Sequence, residues 1–350
     1  MKKIKILDTT LRDGSYAINF SFTSADTEVI CKKLDEAGLE YIEIGHGSGL
    51  NASNLGYGKT AQTDEEYMIT AKESVSKAKY GMFCIPGIAR LEDLDLASRH
   101  NMGFIRIGTD VNKVEKSEDF VKKAKKHGML VAANYMKSYA LPPEKFAEKV
   151  KLSEKFGADI VYIVDSAGGM FSENIIEYFK AIRKVSNIPI GFHGHDNLGL
   201  AISNCLTAAD IGIDIIDSSL QGLGRSSGNA CTEMLILALM KKGIDVGIDF
   251  HKVLDIGQTY VQPLINVKGK MSLDIISGYA DFHSSYMHHI MKCSIKYNVD
   301  PINLIIEYSK VDKVEMDMVE LEKIAQKLKQ EDRVYTAKYR FNKYIGKEQD

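Results

Sequence analysis

Eight short runs rich in β-branched residues, at 4–8, 41–45, 80–85, 104–108, 130–135, 160–165, 188–193 and 215–219, most constrain how this chain can fold. They read as continuous apolar segments, the pattern of parallel strands covered on one face and packed on the other. The interval between each pair suits one helix. In the first, Thr23 or Ser24 is placed to cap a helix, Ile30, Leu34 and Ala37 follow at helical spacing, and Gly38 ends it. Eight βα units in series predict an α/β fold, the TIM (β/α)8 barrel. A doubly wound sheet is the competing architecture, disfavoured by the strand count. After about residue 250 the period changes, and 273–297 and 301–328 read as helical with no further strand between them. The expected division is a barrel domain over 1–255, a helical C-terminal domain over 256–330, and a charged, tyrosine-rich surface tail over 331–350.

Composition excludes several classes of partner. The formal net charge is −2 and no basic stripe stands out, so neither nucleic acid nor an anionic membrane surface is expected as a partner. No apolar stretch approaches the roughly 20 residues of a membrane span, and the start of the sequence has no secretory pattern. A cytoplasmic protein is expected. The five cysteines are scattered without a CxxC pair, so reduced, structural thiols are the default.

The chemistry concentrates in two separated segments, LDTTLRDGS at 7–15 and GFHGHDN at 191–197. His193 and His195 are two apart, so on an extended strand end they share a face. Barrel closure would bring Asp13, after the first strand, to the same rim as the two histidines, after the seventh. Two imidazoles and one carboxylate make a divalent-metal site with open positions, suited to Mn²⁺, Mg²⁺, Co²⁺ or Fe²⁺ rather than to a closed structural zinc. Arg12, next to the ligand, is placed either to neutralise a developing enolate oxygen or to make a rim salt bridge. Asp8 and Asp165, at strand ends, either orient Arg12 or a histidine, or cap the loops that follow. The segment GLGRSSGN at 222–229 lacks a GK[ST] ending, which argues against a nucleotide P-loop. It either binds an anion through backbone N–H groups or makes a tight turn that lets Asn229 reach the metal. His46, in a GHGSG loop, lies within reach of the same rim. His288 and His289 fall on different faces of a helix and are not expected as ligands.

LDTTLRDGS together with GFHGHDNLGLAISN resembles the DRE-TIM metallolyases, the HMGL-like superfamily, whose members make or break carbon–carbon bonds beside a metal-held keto acid. IEIGHGSGL, YMKSYALPPEKFAE, DSSLQGLGRSSGNACTE and SGYADFHSSYMHHIMKCSIKYNV narrow the resemblance to the 4-hydroxy-2-oxovalerate aldolase branch, over roughly residues 4–328. The resemblance implies metal ligands at Asp13, His193 and His195, with Mn²⁺ ahead of Mg²⁺ or Co²⁺, an enolate-stabilising Arg12, and a substrate-pocket tyrosine at Tyr279. It implies a 2-oxo acid and an aldehyde as substrates, an oligomer, and a helical domain that docks an acylating aldehyde dehydrogenase. One position departs from the family pattern. Tyr16 stands where the family has a catalytic histidine, and a phenol with an ordinary pKa near about 10 is a poor base at pH 7. Either Tyr16 is activated by the metal-site field, or another group such as His46 takes the proton, or the acceptor differs. Rival readings are a Claisen-type acyl-CoA/2-oxo acid synthase, a non-catalytic partner protein, and a 2-His-1-carboxylate iron oxygenase.

Overall fold

β1 (Lys5–Asp8), β2 (Tyr41–Ile44), β3 (Lys79–Cys84), β4 (Phe104–Asp110), β5 (Leu130–Met136), β6 (Ile160–Asp165), β7 (Ile190–Gly194) and β8 (Ile215–Ser218) pair in parallel and in chain order, and β8 pairs back onto β1. Closure leaves the barrel without an edge strand. This is a computed structural model, and it describes residues 4–265, 271–330 and 341. All eight expected strands are present, with ends within two residues of the sequence reading.

Each strand leads into an outer helix: α1 (Ser24–Ala37), α2 (Asp64–Ser74), α3 (Leu91–Arg99), α4 (Glu118–Lys126), α5 (Pro143–Phe156), α6 (Ser172–Arg183), α7 (Ala201–Ile211) and α8 (Thr232–Lys241). Local sequence sets their ends. Thr23 caps α1 and forms a reciprocal capping box with Asp26, while Gly38 terminates it at φ 96°. Ile30, Leu34 and Ala37 are buried in the layer between helices and strands, as their spacing requires.

Inside the barrel the side chains change character along the strands. Leu7, Tyr41, Phe104, Ala132, Tyr162 and Ile215 belong to one apolar cluster. Two residues further on, the same strands present Glu43, Arg106, Asn134 and Asp217, all buried. The barrel is therefore oil-filled toward the strand N-termini and charged toward the C-termini, where the loops of this fold carry function.

α9 (Phe250–Ile256) still packs on the barrel, whose core takes in Val253, Ile256 and Val261. α10 (Ser272–Ala280), α11 (Met287–Tyr297), α12 (Pro301–Tyr308) and α13 (Met318–Lys327) enclose a second core that includes Leu273, Ile290, Leu304 and Leu321. Each of the two long expected helices is broken. Asp281, in the left-handed region at φ 53°, ends α10, and α11 starts only after a single turn at Ser284–Tyr286. Asp300 and Asp317 cap α12 and α13 by accepting backbone N–H groups. The expectation for the tail lies outside the described residues except for Phe341, which is buried in the second core. None of the described helices is long and apolar enough to cross a membrane.

The helical module sits on the barrel rim through polar contacts and one close backbone approach. Asn197 Nδ2 donates to the Asp274 carbonyl at 2.8 Å, and Ser226 Oγ donates to the Asp274 carboxylate at 2.8 Å. Gly169, after β6, lies so near the Gly278 carbonyl that a Cβ there would collide with it. Gly169→Ala is expected to cost roughly 1–3 kcal/mol, lowering Tm by several degrees, and to speed proteolysis of the helical module. Wild-type melting and protease resistance would show that the seam tolerates separation.

Candidate metal centre and active site

Asp13 opens a short 3-10 helix, Asp13–Ile18, in the loop after β1, where the Thr9 carbonyl accepts its N–H at 2.8 Å. His193 lies within β7, and His195 continues the extended path through an isolated bridge to Asn229. The two imidazoles thus stay on one face. One ligand atom from each of Asp13, His193 and His195 falls within 4.8 Å of the others, and all three residues are buried. Among the described residues this is the one cluster of histidine, cysteine, aspartate or glutamate side chains with that property.

Hydrogen bonds prepare each ligand. His193 Nδ1 lies 2.9 Å from the Asp217 carboxylate, and His195 Nδ1 lies 3.3 Å from the Gly228 carbonyl. Both partners are acceptors, so Nδ1 carries the proton in each ring and Nε2 keeps its lone pair for a metal. Burial lowers the His195 pKa to about 4; Asp13 opposes the shift, and His193, Arg225 and Arg12 add to it. Burial alone would raise the Asp13 pKa, but Arg12, the two histidines and the Asn229 amide hold it well below the usual carboxylate range. Asp13 is therefore ionised and His195 is neutral, and with the His193 imidazole they make a hard, mixed N/O set that fits a catalytic divalent metal. Asn229 Oδ1, beside Asp13, is a buried acceptor with no hydrogen-bond partner, which further suits a cation site.

A buried ionic chain stands behind the ligands. Arg12 Nη1 donates to Asp13 at 2.6 Å and its Nε donates to Glu43 at 2.6 Å. Glu43 also accepts from Arg106 Nε at 2.7 Å and from Arg106 Nη2, and Arg106 Nη1 donates to Asp217, the partner of His193. Burial would push the Glu43 and Asp217 pKa values up; the guanidiniums outweigh it and hold both carboxyls low. Sequence reasoning missed Glu43, Arg106 and Asp217. The available signal was a lone charge inside each of the apolar runs YIEI, FIRIG and IIDS.

Arg12, Asp13, His193 and His195 line a cavity of about 430 Å³, with Tyr16 and Arg225 from barrel loops and His283, Tyr286 and Glu315 from the helical module. Tyr16 shares a hydrogen bond with Ser48 Oγ at 2.9 Å, and its ring lies 4.8 Å from the Arg225 guanidinium. His46 is buried but outside the lining. Its Nδ1 accepts the Ser48 N–H at 2.9 Å, its Nε2 lies 3.2 Å from the Gly58 carbonyl, and its ring stacks on Phe20 at 3.9 Å. Tyr279, the pocket tyrosine of the sequence reading, is 68% exposed on α10 and outside the lining; the tyrosine that the helical module contributes to the lining is Tyr286. Asp8 and Asp165 cap the loops after their strands, accepting from Thr10 and from Gly169 and Met170, and burial raises both to about 7. The 222–229 segment folds as a tight turn. The Arg225 N–H and the Asn229 amide both donate to Asp13, so the loop braces a ligand.

The comparisons with known proteins agree with this geometry. The HMGL-like family model matches residues 3–260. The chain belongs to the HMGL-like family. Proteins named 4-hydroxy-2-oxovalerate aldolase from Carboxydothermus hydrogenoformans and Geobacillus genomosp. 3 are 37% and 40% identical, covering 89% and 87% of this chain and 94% and 90% of their own. The carboxyl transferase domain of Rhizobium etli pyruvate carboxylase superposes with a TM-score of 0.76 over 94% of this chain and 61% of that one, at 18% identity. That likeness, which concerns fold alone, extends beyond the stretch that the HMGL-like model matches.

In this HMGL-like chain, Asp13→Asn or His193→Ala removes one of the three candidate ligands. Each is expected to abolish stoichiometric metal binding in calorimetry, and a variant that keeps full metal occupancy would remove that residue from the ligand set. Asp217→Asn acts one step back. Weakening the carboxylate that fixes His193 is expected to cost about 10–100-fold in metal affinity, and an unaltered Kd would show that His193 needs no such partner.

Proposed function

We propose that this chain is a class II aldolase that cleaves or forms a 4-hydroxy-2-oxo acid, with a 2-oxo acid and an aldehyde as the two halves. The observation that carries the reading is the state of Arg12. Two arms of its guanidinium are committed, to Asp13 and Glu43, and Nη2 has no partner among the described residues while the side chain lines the cavity beside the metal ligands. A fixed cation next to a metal site is what an enolate oxygen requires. A divalent metal, Mn²⁺ in this reading, held by Asp13, His193 and His195, supplies Lewis-acid polarisation of a 2-oxo acid. Arg12 offers Nη2 to the oxygen that gains charge when the C3–C4 bond breaks. Because Glu43 holds the guanidinium in place, little reorganisation accompanies that charge. Tyr16 and Arg225 form a cavity wall that orients the substrate.

The same reading divides the chain into a catalytic barrel over 1–255, a helical domain over 256–330 and a tail, acting in the cytoplasm as part of an oligomer. The name shared by the relatives supports the substrate class. The helical domain is proposed to dock an acylating aldehyde dehydrogenase, which would consume the aldehyde. His46 shapes the loop under Tyr16, and Tyr279 belongs to the outer surface.

Two substitutions test the assignment. Arg12→Lys keeps the charge and loses the planar fork, so turnover of 4-hydroxy-2-oxovalerate is expected to fall by at least about a hundredfold with metal affinity changed far less. Equal loss of both would make Arg12 a purely structural residue. Tyr16→Phe, which removes a hydroxyl engaged with Ser48, is expected to cost roughly tenfold or less in kcat; abolished turnover with metal and pyruvate still bound would make the phenol the base.

A further inference from the structure

Cleavage of a 4-hydroxy-2-oxo acid needs a group to take the C4 hydroxyl proton, and the proposed function leaves that role open. We propose that His283 takes this proton on Nε2, an inference that rests on the aldolase reading.

The break between α10 and α11 places the residue. His283 is the residue before the single turn Ser284–Tyr286, and its ring, 8% exposed, lines the same cavity as Arg12, Asp13 and His195. Nδ1 is tethered, lying 2.7 Å from Ser285 Oγ and 3.4 Å from the Ser285 N–H. Nε2 makes no hydrogen bond among the described residues, so the ring has one anchored edge and one edge for a ligand. Ser285 Oγ can accept a hydrogen bond from Nδ1–H, the tautomer that leaves Nε2 its lone pair, and the same bond holds the imidazolium once Nε2 is protonated. Burial, with Arg225, Lys137 and His195 nearby, moves the imidazole well below its ordinary pKa, and Asp13 opposes them only in part. The ring is therefore unprotonated at neutral pH. The other buried bases are committed elsewhere: both His46 nitrogens meet backbone groups, and Lys137 Nζ donates to the Val314 carbonyl at 2.6 Å and to Tyr286 Oη at 3.3 Å.

The step balances without a further reactant. The O–H electron pair becomes the C4=O π bond as the proton moves to Nε2. The C3–C4 pair passes into the C2–C3 enolate opposite Arg12, and the aldehyde leaves. The imidazolium returns its proton to water, and C3 takes one from water to give the 2-oxo acid.

His283→Asn tests the assignment, because its side-chain amide can keep a hydrogen bond to Ser285 while Nε2 is removed. The Mn²⁺-loaded variant and wild type are assayed for cleavage of 4-hydroxy-2-oxovalerate and for decarboxylation of oxaloacetate. Loss of CO₂ from oxaloacetate breaks the corresponding bond and gives the same enolate with no hydroxyl proton to remove. Cleavage is expected to fall by about a hundredfold or more, and decarboxylation by no more than about fivefold. Cleavage within tenfold of wild type, or an equal fall in both reactions, would overturn the role of His283. If wild type performs neither reaction, the aldolase reading itself fails and this inference fails with it. Should the asparagine variant not fold by circular dichroism, His283→Gln is read by the same two ratios.

Discussion

Glu43 is a carboxylate with no access to water, and the active end of the barrel is organised around it. It receives Arg12 on one side and Arg106 on the other, and Arg106 passes the connection on to Asp217 and His193. The chain of charge therefore crosses the barrel, linking β1, β2, β4, β8 and β7. Burying such groups is unfavourable unless each finds a partner, and removal of one would strand the rest. Asp13, Glu43 and Asp217 set three negative charges against the two guanidiniums, leaving one in excess among buried side chains. A divalent cation reverses that sign, which ties the electrostatics of the interior to the metal centre.

The barrel was legible in the sequence because parallel strands covered on both sides leave uninterrupted apolar runs, and α1 announced both of its ends in Thr23 and Gly38. The convergence of Asp13, His193 and His195 was legible for a related reason: a spacing of two preserves the face of an extended segment, and closure supplies Asp13. Other features depend on distance across the barrel, which sequence spacing does not report. Glu43 and Arg106 are single charges in apolar runs, and only closure shows that they point at one another. The resemblance put the pocket tyrosine at Tyr279, and the helical reading of 273–297 gave no sign of the turn at Asp281 that swings His283 and Tyr286 onto the cavity. The GLGRSSGN segment was ambiguous because glycines serve anion loops and tight turns equally well, and the partner that decides, Asp13, lies far away in the chain.

The composition of the ligand set carries its own meaning. The five cysteines are free, and burial raises the thiol pKa of each. None belongs to the metal cluster, so the site presents only nitrogen and oxygen to an ion. Hard, labile divalent metals suit such donors, and thiophilic ions gain nothing special there.

The seam between Gly169 and Gly278 separates two sources of cavity residues. Arg12, Asp13, His193 and His195 all come from the barrel, and the first three belong to the ionic chain. His283, Tyr286 and Glu315 arrive from beyond the seam, the first two at a short turn between α10 and α11 and the third between α12 and α13, and none of them bonds into that chain. Substitutions in the turn can therefore accumulate without disturbing the charged interior. A lineage built on this plan is free to change the aldehyde it accepts while its handling of the 2-oxo acid stays constant.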